Sequence, residues 1–194
     1  MGARSKAVMA VVLGLVILAV LVTRRAGDAA HPPAATPAEV TPTAAADPVA
    51  AAAEFLADLR PAVLLDPARR EAVLARWADP DALLTLRRTY SREADRVRST
   101  YHGAPLVSRS ALLGYQLHSV SSVERDVVIW AMAIAADAEG VPATGWGTLT
   151  VRLRERAGTW HVVSVTTGAG PSPDETAAEL ARGAAAFHPF RHAR

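Results

Sequence analysis

The chain has 194 residues, with 21 lysines and arginines against 19 aspartates and glutamates, and no cysteine. That length suits one domain of ordinary size plus appendages, and a net charge of +2 argues against a dedicated nucleic-acid binder. Without cysteine there is no disulfide, zinc–thiolate site, iron–sulfur cluster or thiol nucleophile.

Residues 1–6 form a short basic tail carrying Arg4 and Lys6. The uncharged run 7–23, AVMAVVLGLVILAVLVT, predicts a transmembrane helix. It spans about 25 Å, slightly short of a ~30 Å hydrocarbon core, and the flanking Arg4, Lys6, Arg24 and Arg25 make up the difference by snorkelling. The rival reading is a cleavable signal peptide, whose apolar region usually runs about 7–15 residues. Gly27, Ala29 and Ala30 would supply its cleavage site. The flanking charges nearly balance, so they do not fix sidedness.

Residues 24–47 are a linker rich in proline, alanine and threonine, with Pro32, Pro33, Pro37 and Pro42. Such a segment has too little large apolar surface to fold, and its prolines keep it extended. It reads as a disordered stalk that holds a domain off the plasma membrane, which favours an extracytoplasmic placement.

The folded domain is expected over 48–167. Asp47–Pro48, Asp66–Pro67 and Asp79–Pro80 each pair an N-cap with a first-turn proline and predict three helices. The third, about 80–101, is the best defined. Leu83, Leu86, Tyr90, Val97 and Tyr101 fall within a sector of about 60°, with Arg88, Arg92 and Arg96 opposite. After Gly103 the period changes to alternation. Strands are expected at 109–121, 126–136, 146–156 and 159–165, the last two joined by a tight turn at Ala157–Gly158. In 126–136, Val128, Trp130, Met132 and Ile134 share one face and Val127, Ile129, Ala131 and Ala133 the other. That pattern makes the strand central, with its small-residue face under a helix or a partner. A C-terminal extension, 168–194, follows, with one more helix expected at 174–187. Helices followed by a meander of strands give an α+β class: three helices on a curved four-stranded antiparallel sheet.

Tyr115, Val127-Val-Ile-Trp130, Trp146-Gly-Thr148, Val151-x-Leu153, Gly158-x-Trp160 and Gly170-Pro-x-Pro173 together carry a resemblance. Over residues 48–173 the chain resembles actinobacterial single-pass membrane proteins with an extracytoplasmic nuclear-transport-factor-2-like domain, a cone-like fold. Related domains occur in the inner-membrane assembly component of type IV secretion machines and in conjugative-element proteins. Membrane proteins associated with actinobacterial lipid-import systems resemble it nearly as well. Either resemblance implies a scaffold without chemistry or cofactor of its own. Its partners would be the bilayer through 7–23, other envelope or secretion-system proteins, and copies of itself, with no direct nucleic-acid contact.

The same fold hosts ketosteroid-isomerase-like and dehydratase-like enzymes, so a pocket is the alternative. Tyr115, Trp130, Met132, Trp146 and Trp160 are its expected lining, and Tyr115, His118, Asp126, Asp137 and His161 the candidates for acid–base work. Strand alternation sets Tyr115 and His118 on opposite faces, and likewise Trp160 and His161. His188 and His192 have the four-residue spacing of zinc ligands, but Pro189 interrupts a helix between them. The remaining candidate is the stripe Arg88, Arg92 and Arg96, either a solvated helix face or a docking surface for an acidic partner or an anionic cell-envelope polymer; DNA comes third, since the interleaved aromatics Tyr90 and Tyr101 already point inward.

Overall fold

The computed structural model describes residues 47–100, 107–136 and 142–190. The predicted transmembrane helix, the basic tail and the linker up to residue 46 lie outside the described residues, as do Tyr101, Asp137 and His192. Among the described residues, no helix is long and apolar enough to cross a membrane.

The Asp–Pro pairs start the helical layer. Helix α1 is Pro48–Asp58, with the Asp47 carboxylate accepting from Val49 N–H at 3.1 Å. Pro61 opens a single-turn helix α2, Pro61–Leu64, which the sequence does not announce. Helix α3 is Pro67–Trp77, and Asp66 accepts from the amides of Ala68 and Arg69 at 3.0 and 3.1 Å. The third pair behaves differently. Residues 80–82 form a turn, and helix α4 runs Leu83–Thr100, three residues later than the pattern predicts. Asp79 N–H donates to Val162 O at 2.8 Å, which pins the corner to the sheet edge before the helix begins.

The sheet is curved and antiparallel, in the order β1 (Val107–Ser119), β2 (Glu124–Ala136), β3 (Pro142–Arg156), β4 (Thr159–Gly168). Register shifts at Leu112/Gly114 and Arg152/Leu153 bend it. Ala157 and Gly158, at φ 51° and 79°, make the tight β3–β4 turn with the left-handed backbone that matches strand twist.

One face of the sheet receives the helices. Val127, Ile129, Ala131, Ala133 and Ala135 of β2 are buried in strict alternation, as are Leu149, Val151 and Leu153 of β3. Ala51 and Ala52 of α1 are fully buried in the same cluster as Ala131, and these small residues let helix and sheet approach closely. Phe55, Leu56, Leu59, Leu74, Trp77 and Leu86 fill the space between the layers. Each fully buried leucine or phenylalanine among them contributes about 1.5–3 kcal/mol.

The opposite face is crossed by the C-terminal extension. Beyond β4, Gly170 passes so close to Gly147 that a Cβ would lie 2.9 Å from the Gly147 carbonyl carbon. Trp130 Nε1–H then donates to Pro171 O at 3.0 Å. A capping box between Thr176 and Glu179 starts helix α5, Ala177–Ala185, shorter at both ends than the sequence pattern. Phe187 packs on Trp130, ring centroids 5.8 Å apart. His188 then exchanges two 2.8 Å backbone hydrogen bonds with Tyr115 on β1, and Phe190 reaches the Tyr115 ring at 5.2 Å. The extension therefore acts as a strap, lying over one face and closing round the β1 edge.

Candidate functional site

Helix α4 carries two features on neighbouring sides. The first is its arginine-rich outer side, where Arg88, Arg92 and Arg96 recur at every fourth position. They are not equivalent. Arg96 donates to Glu93 at 2.9 Å. Nearby, Arg98 is held by Asp95 at 3.0 Å and by the Leu65 carbonyl, and Arg87 forks onto Glu71. Among the described residues, Arg88 and Arg92 have no ion-pair or hydrogen-bond partner, and both are exposed. They share a shallow groove with Thr85 and Ser91, and Leu84, 57% exposed, stands one turn before Arg88.

The second feature is a cleft of about 410 Å³ between α4 and the helix-side face of β3 and β4. Helix α4 supplies Leu86, Tyr90, Glu93 and Arg96 to its lining, and the strands supply Leu149, Val165 and Thr167. Tyr90 is 4% exposed, its ring edge-on to Phe55, and its hydroxyl has no partner among the described residues. Glu93 Oε2 accepts from Arg96, while its Oε1 is buried without a partner among the described residues. Burial, and secondarily the negative charge of Glu93, push the Tyr90 phenol far above its ordinary pKa. It therefore stays a neutral hydroxyl at any physiological pH.

The expected pocket residues do not meet in one place. Trp160 is buried in the helix-side core, with Tyr115 packed against that core's margin. Trp130, Met132 and Trp146 lie on the other face, where Met132 pairs with Trp146 and the Trp130 and Trp146 rings are 6.3 Å apart. Phe187 and Pro171 of the strap cover Trp130 there. Asp126 is held by Arg152 in a two-pronged contact of 2.8 and 2.8 Å. That hydrogen bond lowers its pKa against the opposing effect of burial. His118, opposite Asp126 in the register, contacts Gln116 at 3.1 Å. His161 is half-buried, and its Nδ1 has no partner among the described residues. Among the described residues no three histidine or carboxylate side chains are grouped to hold a metal ion.

The buried carboxylate is Asp79, which the sequence offers only as a helix cap. Arg156 grips it through Nε at 2.6 Å and Nη2 at 3.1 Å, and Arg154 stands 3.4 Å away. Asp81 N–H donates to the same carboxylate at 3.0 Å. Burial pushes the Asp79 carboxyl up, but the Arg156 hydrogen bond, the Asp81 amide and the two guanidinium charges together hold it below its ordinary value. Both of its oxygens accept, and the Arg154 and Arg156 contacts join the α3–α4 corner to the β3–β4 hairpin, so it is a structural clamp.

No protein-family model and no curated protein matches the chain. Solved structures overlap part of it, among them the following three. The association domain of C. elegans CaMKII is 16% identical over 31% of this chain, which spans about half (47%) of that domain, at TM-score 0.28. The intermembrane-space region of the chloroplast protein ARC6 is 17% identical, covering 57% of this chain and 86% of that one, at TM-score 0.35. A putative calcium/calmodulin-dependent protein kinase II association domain from Xanthomonas campestris is 12% identical, covering 58% and 81%, at TM-score 0.38. None of them carries a residue's role to this chain.

Proposed function

We propose that this chain is a non-catalytic, single-pass plasma-membrane protein whose cone-like domain stands outside the cell as a scaffold or assembly component. The type is that of conjugative-transfer or secretion machinery, acting through protein–protein contacts. The observation that carries this reading is the pair Arg88 and Arg92, exposed on helix α4 beside Leu84 with no partner among the described residues. Guanidinium groups present paired donors that match a carboxylate fork, so the occupant is an acidic segment of a second envelope protein. The sequence-predicted anchor at 7–23 supports the reading by confining both partners to one bilayer and raising their effective concentration.

The test uses full-length protein in cells, with a photo-crosslinking residue in place of Thr85. The expected result is a membrane-bound adduct with a second protein, lost in Arg88→Glu/Arg92→Glu while the fold is unchanged. A crosslink indifferent to both reversals removes the stripe from consideration, and full-length protein in the aqueous fraction removes the anchor. An adduct with a second copy would assign the stripe to self-association.

A further inference from the structure

We infer that the groove bordered by the C-terminal end of α1, by α2 and by α3 is a binding site for a phosphate monoester carrying a short apolar group. It stands apart from the docking stripe and does not rest on it, since Arg88, Arg92 and Arg96 do not line this groove.

The groove holds about 550 Å³ and opens to solvent. Three guanidinium groups border it, those of Arg60, Arg69 and Arg76, against one carboxylate, Asp58. Asp58 is already engaged. Its Oδ2 accepts from Trp77 Nε1 at 2.7 Å and from Arg76 Nη1 at 3.2 Å, and the Arg76 guanidinium lies over the Trp77 ring at 5.0 Å. That pair is neutral as a unit and leaves Arg60 and Arg69 to set the charge. Arg60 is exposed and has no partner among the described residues. The Arg69 side chain meets only Asp66 among them, through Nε at 3.4 Å, with the two side chains 67% and 41% exposed. An ion pair so exposed is worth little and yields to a stronger anion.

Two uncompensated guanidinium groups select the ligand. A carboxylate carries one charge and fills one guanidinium fork. A phosphate monoester carries about −1.5 to −2 at pH 7 and three strong acceptor oxygens, enough to engage both forks at once. Between the arginines the lining is apolar. Arg69, Ala72, Val73 and Arg76 follow the spacing that places them on one side of α3, with the two small apolar residues between the charged ones. Val63 of α2 adds to the same lining. A few carbons of the ester group find contact there while the phosphate meets Arg60 and Arg69. Because the site is open, its affinity is modest and falls with added salt.

The experiment uses full-length protein in phosphatidylcholine nanodiscs, with alanine and valine methyl groups isotopically labelled for NMR. Butyl phosphate is the probe. Saturable shifts are expected at the Val63, Ala72 and Val73 methyls, with those of the buried Val127 and Val151 unmoved. Butyl sulfate and butanoate, each with a single charge, should bind about tenfold more weakly, as should butyl phosphate to Arg60→Ala or Arg69→Ala. Arg60 precedes α2 without a side-chain capping bond, so its truncation leaves the fold in place. Arg88→Glu/Arg92→Glu should bind the probe unchanged, which keeps failure of this site distinct from failure of the stripe. Nanodiscs containing phosphatidate separate two sources of the ester. Shifts without added probe assign a lipid headgroup, and shifts only with butyl phosphate assign a soluble ester. The inference is overturned if butyl phosphate shifts those methyls without saturation or not at all. Equal affinity for butyl sulfate overturns the doubly charged class, with no variant needed. Affinity untouched by both arginine substitutions overturns the site.

Discussion

Gly114 of β1 lies directly under Phe187 of the C-terminal strap, so that a Cβ at 114 would fall 2.8 Å from the Phe187 Cβ and 3.0 Å from His188 O. The contact explains a glycine in the middle of a strand, where it otherwise weakens the sheet. It also shows what fastens the strap: a close approach at Gly114, followed by the two 2.8 Å backbone bonds between His188 and Tyr115.

Gly114→Val should therefore lift the strap and leave the sheet intact. Neither neighbour is a flexible side-chain tip that can give way, and overpacking of this kind costs about 1–3 kcal/mol. Hydrogen exchange should show protection lost at His188 N–H and Tyr115 N–H, with Val127 and Ile129 still protected. The tryptophan emission should shift to the red as Trp130 loses Phe187 and the Pro171 carbonyl. Retained protection at His188 would mean that the strap is held elsewhere.

The Asp79 clamp predicts the acid side of stability. Its carboxyl is held below the ordinary value of about 4 in the fold, so the unfolded chain takes up the proton first. The stabilisation is present above pH ~4 and is lost as pH falls through the folded value. Asp79→Asn should cost about 2–3 kcal/mol at neutral pH. It should also make the acid limb shallower without flattening it, because Asp126 is lowered in the same way by Arg152. Denaturant titrations of both proteins between pH 7 and pH 3 measure the two slopes; parallel slopes would remove Asp79 from the account.

Most of the architecture was legible because it is written in periodicity and caps. The inward faces of β2 and β3 follow from alternation, the small-residue face of β2 does lie under the helices, and Asp47 and Asp66 cap helices where the Asp–Pro pairs say so. The late start of α4 was not legible, since Asp79 is recruited by a hairpin some 75 residues away and no local pattern encodes that. The strap was hidden for the same reason. Trp130 and Phe187 look like two isolated aromatics until the fold brings them together. The two cleft oxygens were half visible. Tyr90 sits in the apolar sector of α4, and Glu93, three residues on, falls about 60° round the helix at its margin. Burial of one carboxylate oxygen, however, is a tertiary outcome that no local pattern encodes.

The arginines of the helical layer should divide sharply by partner. Arg70 is 9% exposed, donating to the Leu64 carbonyl at 2.5 Å and to Ser91 at 3.4 Å. Arg70→Ala removes a buried bridge between the α2 end and α4, leaves the Leu64 carbonyl short of its donor, and should cost about 1–3 kcal/mol. Arg88→Glu/Arg92→Glu alters side chains with no partner among the described residues and should change stability by less than about 0.5 kcal/mol. Chemical denaturation of the three proteins makes the comparison. Comparable losses would mean that the outer stripe supports the fold.

Tyr90→Phe should stabilise the unliganded protein. The substitution keeps the ring against Phe55 and deletes a buried hydroxyl that has no partner among the described residues, relieving a desolvation penalty of about 1 kcal/mol or somewhat more. Tyr90 also shapes the alkaline side. Its pKa is raised in the fold, first by burial and then by Glu93, so the unfolded chain loses the proton first. Its ionisation leaves stability untouched below the unfolded value of about 10, and stability falls away as pH rises beyond it. Phenylalanine cannot ionise, so the variant should be more stable at pH 7 and should lose less between pH 9 and pH 11. Thermal melts at these three pH values read both effects. A variant less stable at pH 7 would show that the Tyr90 hydroxyl has a bond that holds the fold together.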